Sequence, residues 1–182
     1  LARSNFTNAR RNPRAQTRRW TLDEEAFVRG SEPNPTVAGV LCRNDCSQVT
    51  DGGAGVVLAS GEAASAWAAS RGRSLDEVPR IAGWGHRTAR ISFEGKLADA
   101  ADDPYVFPHV RRAALDALGR AGIADARDLD LLETHDCFTT THYAAIDHIG
   151  ITGPGESWKA IEDGYVMADG PLPINPSGGL MG

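Results

Sequence analysis

An apolar run, Leu129-Asp130-Leu131-Leu132-Glu133-Thr134, leads directly into His135-Asp136-Cys137-Phe138. The run predicts a mostly buried strand, and the helical period of Thr139 to Ile149 predicts a helix immediately after the motif. An imidazole, a carboxylate and a thiol are therefore expected at the carboxyl end of a strand. Because α/β enzymes place their chemistry at that edge of the sheet, the motif predicts an α/β fold with a functional site.

The thiol of Cys137 is placed to give and take a proton. Unsatisfied amides at the start of a helix carry partial positive charge, which favours the thiolate of a nearby cysteine. His135, two residues earlier, is expected to donate a hydrogen bond to an oxyanion or to a water that does so. Asp136 points to the other side of an extended segment, so we expect it to cap the following helix rather than react.

Spacing alone leaves three other interpretations of this cluster open. Cys137 and His135 also fit a small buried thiol and a hydrogen-bonded core histidine. A metal site with His142 and His148 is disfavoured, because these residues lie six apart on different helix faces, and no metal is predicted. A thiol hydrolase with Cys137 as its nucleophile is disfavoured as well, since the spacing does not bring the His135 and Cys137 side chains into direct contact.

Composition limits the class of protein. The 182 residues are 41% hydrophobic and 24% charged, which is enough apolar content for a core. The formal net charge of -5 argues against general nucleic-acid binding, which uses a basic excess to neutralise phosphates. The apolar runs are too short for a membrane span, so none is predicted. Cys42, Cys46 and Cys137 lack CxxC spacing and favour a reducing cytoplasm over a disulfide scaffold.

Residues 1 to 19 contain six arginines and no acid. Guanidinium groups bind phosphate in bidentate fashion, so a phosphate-bearing ligand such as a nucleotide or coenzyme A fits this segment. A solvated run of surface charge is the commoner explanation for such segments. The chain begins at Leu1 and stops at Gly182, just after a glycine-rich turn, and we interpret it as an internal fragment of a longer protein.

Further helices and strands are predicted along the chain. The run from Thr50 to Gly55 leads into a short buried strand at Val56 to Ala59, where small residues allow close backbone packing. Because its glycines precede the strand, the run does not match a dinucleotide-binding loop. A domain boundary is expected near Pro79. The other predictions are a helix start at Thr21 to Glu25, helices at Gly61 to Arg71, Val110 to Ala121 and around Trp158 to Glu162, a strand at Arg80 to Trp84, and an irregular surface section from His86 to Pro104.

Three segments together resemble the thiolase superfamily in order and spacing. They are Asp45-Cys46-Ser47 with the run from Thr50 to Leu58, then Leu132 to Phe138, then Ile174-Asn175-Pro176-Ser177-Gly178-Gly179-Leu180. The strongest likeness is to SCP-x or SCP2-type thiolases, which carry a His-Asp-Cys-Phe loop where other thiolases carry Asn-Glu-Ala-Phe. Asn8-Ala9 and the stretch from Asn12 to Gln16 also resemble the loop domain of these enzymes, so the likeness spans nearly the whole chain.

This resemblance implies a thiolase-like layered αβαβα fold, with mixed sheets between helix layers, that is incomplete here. Residues 1–79 would be the end of the loop region and of the N-terminal domain, and residues 80–182 the first part of the C-terminal domain. The implied activity is acyl transfer, by thiolytic cleavage or Claisen condensation of an acyl-CoA in lipid or sterol metabolism. Acyl-CoA and coenzyme A would be substrates, no cofactor would be bound covalently, and a homo-oligomer, dimer or tetramer, is implied.

The resemblance also implies roles for particular residues. Cys137 would be the catalytic acid/base and His135 the oxyanion or water-orienting group. The substrate-binding residues would be Phe138 as a wall of the acyl pocket, and Asn175, Ser177, Gly178 and Gly179 as the floor of the active site.

The catalytic set is expected to be incomplete. Neither Cys42 nor Cys46 has the small-residue helix-start setting of the family's nucleophile, so we expect the nucleophile before Leu1 and two further loops after Gly182. The chain alone would then be inactive. Two alternatives to a thiolase are a thiolase-fold aldolase that acts on a steroid side-chain acyl-CoA without an acyl-enzyme, and a non-catalytic thiolase-like subunit that has lost its nucleophile.

Overall fold

Helices carry most of the regular structure. A computed structural model describes all 182 residues of the chain. Its helices are α1 (Ala2–Arg11), α2 (Gly61–Ser70), α3 (Phe93–Ala100), α4 (Pro108–Ala121), α5 (Thr139–Ile149) and α6 (Ser157–Glu162). Strands β1 (Thr36–Ala38) and β2 (Leu41–Cys42) pair antiparallel. Short 3-10 turns lie at Glu25–Phe27, Arg43–Asp45, Leu75–Glu77, Ala126–Asp128 and Gly179–Met181.

Two helices end at glycines that the sequence marks as helix ends. Gly122 follows α4 with a φ of +74°, and Gly150 follows α5 with a φ of +107°. Glycine adopts this left-handed conformation without the steric cost of a Cβ, so each of these residues closes its helix. The helices predicted around Gly61 to Arg71 and Trp158 to Glu162 are confirmed as well. None of the helices combines the length and the apolar character that a membrane crossing requires.

The strand predictions are wrong in this structure. Val56 to Ala59 and Arg80 to Trp84 have no regular secondary structure, and Val57 is 95% exposed. A strand forms only against a hydrogen-bonded neighbour, and no segment of this chain pairs with either run. Leu129 to Thr134 is also not a continuous strand, because Leu132 alone forms a bridge, parallel to Ile174.

Two further predictions fail for local reasons. Thr21 caps no α-helix: the segment makes only the 3-10 turn Glu25–Phe27, in which the Asp23 carboxylate accepts a hydrogen bond from the Ala26 amide. The section from His86 to Pro104 is not irregular throughout, because it contains α3. Ser92 caps that helix by accepting a hydrogen bond from the Gly95 amide, which is the usual sequence signal of a helix start.

The hydrophobic core anchors α5. Both α4 and α6 contact this helix. Burial of apolar side chains stabilises such a core by about 25 cal/mol per Å² of apolar surface removed from water. α5 is therefore a fixed element, and it begins directly after the His-Asp-Cys-Phe motif. The seven buried core residues are Ala126, Ile146, Ile151, Ala160, Val166, Leu172 and Ile174.

A buried acid and imidazole hold the carboxyl end of α5. Asp147 Oδ1 lies 2.5 Å from His148 Nδ1, and His148 Nε2 accepts a hydrogen bond from the Phe107 amide at 2.9 Å. Since Nε2 is an acceptor, the ring proton is assigned to Nδ1, where it faces Asp147. The other oxygen of Asp147 accepts from the Gly155 amide at 2.8 Å. Both ring nitrogens of His148 are therefore engaged by the fold and not free for a ligand.

His142, on the buried face of α5, predicts a pH dependence of stability. Burial lowers the pKa of His142 from 6.5 to about 4. The unfolded chain therefore takes up this proton at a higher pH than the folded chain does. The stabilisation present above pH 6.5 is lost as the pH falls toward 4, by about 2 kcal/mol between pH 7 and pH 5.

Urea unfolding at pH 7 and pH 5 measures this loss. We expect His142→Gln to lose less free energy of unfolding between the two pH values than the wild-type chain does. The exposed His86 provides the control, and His86→Gln should behave as wild type. An unchanged pH dependence in His142→Gln would contradict the assignment.

Candidate active site

Two extended segments lie side by side and carry the predicted site residues. The Leu132 amide donates to the Pro173 carbonyl at 3.0 Å, and the Leu132 carbonyl accepts from the Asn175 amide at 2.8 Å. The Asn175 side chain continues this pairing, because its Oδ1 accepts from the Thr134 amide at 2.8 Å. The turn that follows Asn175 is thereby placed next to the loop of residues 135–138.

Asn175 is a fully buried residue with a backbone function in this structure. Its φ of +49° makes it the one non-glycine residue of the chain with a positive φ. Asparagine tolerates this conformation because its short side chain can bond nearby backbone groups, as it does here to Thr134. Its carbonyl also accepts a hydrogen bond from Asn8 Nδ2 of α1 at 2.9 Å, while its own Nδ2 has no partner. Contact between Asn175 and a substrate stays a prediction.

Ser177 connects the turn to both neighbouring segments. Its amide donates to Glu133 Oε1 at 3.0 Å and its hydroxyl donates to Glu133 Oε2 at 2.8 Å. Its carbonyl accepts from Asn12 Nδ2 at 2.9 Å. The residue predicted to form part of the active-site floor thus joins the end of α1 to the segment before His135.

Gly178 and Gly179 allow the turn to approach its neighbours closely. Their φ values are +103° and +62°, which glycine adopts more readily than other residues. A Cβ on Gly178 would lie 2.8 Å from the Cβ of Ala9 in α1, and a Cβ on Gly179 would collide with the carboxylate of Asp136. Both glycines are therefore set by backbone geometry and by space.

Asp136 has a different role from the one that the sequence predicts. It does not cap α5, whose first residues are preceded by Phe138 without a side-chain cap. It is fully buried, with Oδ2 accepting from Asn5 Nδ2 at 2.5 Å and Oδ1 accepting from the Leu180 amide at 2.6 Å. Burial raises the pKa of Asp136 above its ordinary value, against the opposing effect of the Leu180 hydrogen bond.

The two predicted catalytic residues lie on either side of Asp136 in the chain. His135 is exposed and has no hydrogen bond to the rest of the chain, whereas Cys137 is half-buried with its Sγ 4.0 Å from Thr141 Oγ1. Side chains alternate in extended segments, so the burial of Asp136 directs both neighbours outward. His135 and Cys137 thus lie on the same side of the segment that precedes α5, and Phe138, which follows Cys137, is 41% exposed.

Cys46 lies next to this loop. It forms an antiparallel bridge with Phe138, and the Ser47 amide donates to the Cys137 carbonyl at 2.9 Å. Burial raises the pKa of the Cys46 thiol, and Asp45 and the other two cysteines add to the effect. All three cysteines are free thiols. Local sequence carries no signal of this contact, because it joins distant segments: Thr139 Oγ1, for example, donates to Asp45 Oδ1 94 positions away.

The arginine-rich start of the chain forms α1. One face of this helix is buried through Asn5, Phe6, Asn8 and Ala9. On its exposed face, Arg3 pairs with Glu24, and Arg11 pairs with Asp169 at 3.5 Å. An open groove of about 590 Å³ is lined by these two arginines and by residues of the segment 164–170. Binding of an anionic ligand to this groove stays a prediction.

Comparison with known proteins identifies the class of protein. Residues 93–182 match the family described as "Thiolase C-terminal domain-like". Over 97% of its length the chain is 34% identical to an acetyl-CoA acetyltransferase of Methanothermobacter thermautotrophicus, of which it covers 41%. The predicted resemblance to thiolases is thus confirmed.

Two other relatives differ in name. The chain is 27% identical over 96% of its length to a 17-hydroxy-3-oxo-4-pregnene-20-carboxyl-CoA lyase of Mycobacterium tuberculosis, covering 42% of it. It is 27% identical over 97% of its length to a sterol carrier protein 2 of Bos taurus, covering 30% of it. The chain therefore spans less than half the length of these relatives.

A solved structure shares the fold. A chain of the "Ltp2-ChsH2(DUF35) aldolase" superposes on 100% of this chain with a TM-score of 0.64 at 18% identity, and 44% of that chain is covered. Together with the family match, this confirms the predicted thiolase-like α/β fold. The roles of individual residues and the domain boundary near Pro79 stay predictions.

Substitution of Gly179 tests the close approach to Asp136. Gly179→Ala adds both a left-handed backbone cost and a collision with the Asp136 carboxylate, and we expect it to lower the free energy of unfolding by roughly 2 to 3 kcal/mol. Gly164→Ala is the matched control, because Gly164 has a φ of +72° but open space where a Cβ would lie. Its expected cost is about 1 kcal/mol from the backbone alone. Equal urea midpoints for the two variants would show that Gly179 does not press against Asp136.

Proposed function

We propose that the chain is part of an acyltransferase of the SCP2-type thiolase kind, which breaks or forms the carbon-carbon bond of a 3-oxoacyl-CoA. The observation that carries this proposal is the position of His135 and Cys137 on one side of the segment that leads into α5, a helix without a side-chain cap. The names of the relatives, acetyl-CoA acetyltransferase and sterol carrier protein 2, support the same reaction class.

Cys137 acts as the acid/base of the reaction. In the cleavage direction a nucleophilic thiolate elsewhere in the polypeptide forms a bond to C3 of the substrate, the bond between C2 and C3 breaks with its electron pair on C2, and the Cys137 thiol gives C2 a proton. The acyl group then passes from the nucleophile to the thiol of coenzyme A. In the condensation direction the thiolate removes a proton from C2 of acetyl-CoA.

His135 stabilises the enolate that forms next to C2. Its imidazole has no hydrogen bond within the chain and is therefore available to donate to the enolate oxygen or to a water that contacts it. Phe138 forms an apolar wall for the acyl group, and Asn175 with the turn of Ser177, Gly178 and Gly179 supports the loop from below. Cys46 is not assigned the nucleophile's role, because its raised pKa disfavours the thiolate.

An aldolase is the second candidate. The relative from Mycobacterium tuberculosis is named a lyase, and the similar solved structure is named an aldolase. Such a reaction also leaves a carbanion that needs a proton, so Cys137 serves it equally well. It differs from a thiolase because the acyl group is not transferred to coenzyme A.

A homo-oligomer and a cytoplasmic location are part of the proposal. Large apolar side chains such as Val57 and Ile91 are 95% and 97% exposed, and association would remove such surface from water. The three free cysteines fit a reducing compartment.

Replacement of Cys137 tests the proposed function. In the polypeptide that contains this chain, assayed with acetoacetyl-CoA and coenzyme A, we expect Cys137→Ala to lower turnover at least about 100-fold, because the proton donor is lost. The urea midpoint should stay near that of the wild type. Cys42→Ala is the control for loss of a thiol in the same region and should retain turnover. Near-normal turnover in Cys137→Ala would remove this residue from the mechanism, and cleavage that does not require coenzyme A would favour the aldolase.

A further inference from the structure

The Asp136 carboxylate connects three separate parts of the chain. Its own residue belongs to the loop that carries His135 and Cys137. One oxygen accepts from Asn5 of α1, 131 positions away, and the other accepts from the Leu180 amide, 44 positions away. The loop, the first helix and the glycine-rich turn therefore meet at one side chain.

The surroundings of this carboxylate restrict it to one position. Asn5 Nδ2 also lies 3.4 Å from His142 Nδ1 and 3.6 Å from Met181 Sδ, and all of these residues are buried. The backbone of Gly179 lies so close to the carboxylate that no Cβ fits between them. Asp136 therefore has neither space nor an unused oxygen with which to reach a substrate.

We propose that Asp136 is the positioning residue of this site: its buried carboxylate fixes the loop so that His135 and Cys137 face outward at the start of α5. It acts through the backbone on its two neighbours and does not touch the reacting atoms. The inference rests on the proposed role of Cys137 and adds to it the reason why this thiol is held in place.

The chemistry of burial supports this role. A carboxylate removed from water costs free energy unless hydrogen bonds compensate it, and an apolar side chain would fill the same space at less cost. Burial also raises the pKa of this carboxyl. The carboxylate determines the position of the loop, because it accepts charge-assisted hydrogen bonds from two donors that are themselves fixed in place.

The three cysteines of the chain allow a direct test by alkylation. Iodoacetamide labelling of the folded protein, followed by peptide mass spectrometry, gives a separate rate for each thiol. Cys42, in β2, is 1% exposed and serves as the buried reference thiol outside the loop, while Cys137 reports the loop. The ratio of the Cys137 rate to the Cys42 rate therefore separates local positioning from global stability.

Asp136→Asn is the central variant. Its amide has one acceptor oxygen in place of two, so it cannot accept both from Asn5 Nδ2 and from the Leu180 amide, and the hydrogen bond to Asn5 of α1 is lost when the oxygen keeps the Leu180 amide. We expect the ratio of the Cys137 rate to the Cys42 rate to rise about fivefold or more, as the loop loosens while the fold stays closed.

The double variant Asn5→Asp with Asp136→Asn restores this hydrogen bond with its direction reversed. We expect it to return the rate ratio to within about twofold of the wild-type ratio, a difference as small as that caused by an ordinary surface substitution. Asp147→Asn is the matched control, because it disturbs another buried acid at the far end of α5. It should leave the ratio unchanged. Asn5→Ala removes the same hydrogen bond with less disturbance, and it decides the question if Asp136→Asn does not fold.

Three results would overturn the proposal. Equal acceleration of Cys42 and Cys137 in the single variants would give Asp136 a role in global stability alone. Unchanged labelling rates at both thiols in a folded variant would show that the hydrogen bond between Asp136 and Asn5 does not position the loop. A double variant that fails to restore the ratio would show that charge at position 136, and not the connection, controls the loop. Since none of these readouts measures turnover, failure of the proposed acyl transfer is distinguished from failure of this inference.

Discussion

The hydrogen bonds of one buried carboxylate determine the arrangement of the candidate site. Asp136 accepts from Asn5 and from the Leu180 amide, so α1, the loop and the glycine-rich turn share a single point of contact. Glycine is required at positions 178 and 179 in this arrangement, because a Cβ on either residue would press against Ala9 or Asp136. The outward direction of His135 and Cys137 follows as well, since they flank an inward-pointing residue.

The core supports this site from one side only. Ile146, Ile151 and Ile174 fix α5 and the end of the segment paired with Leu132, which gives Cys137 a rigid helix start behind it. In contrast, segments before and after α2 leave large apolar residues such as Val57 and Ile91 in water. Exposed apolar surface of this kind is typical of surfaces that bind other protein. The stable part of the chain and the candidate site therefore coincide.

Local sequence predicts the helices around the site well, because their causes are local. Gly122 and Gly150 end helices through their own backbone freedom, and the apolar period of α5 needs no distant partner. A strand forms only when it pairs with another segment. The composition of Val56 to Ala59 predicts a strand, but no segment pairs with it in this structure. Asp136 shows the same limit at the site. Its place in the extended segment before α5 predicts a helix cap, whereas its hydrogen-bond partners Asn5 and Leu180 lie far away in the chain. The resemblance to thiolases supplied the turn at Asn175 to Gly179, but not the hydrogen bonds that hold it.

Native-state hydrogen exchange at the Leu180 amide measures the central interaction most directly. If the Asp136 carboxylate holds the turn against the loop, this amide should exchange slowly, with a free energy of opening close to that of Ile146 in the core of α5. Exchange at the rate of an unstructured chain at Leu180, while Ile146 stays protected, would contradict the claim that Asp136 organises the site.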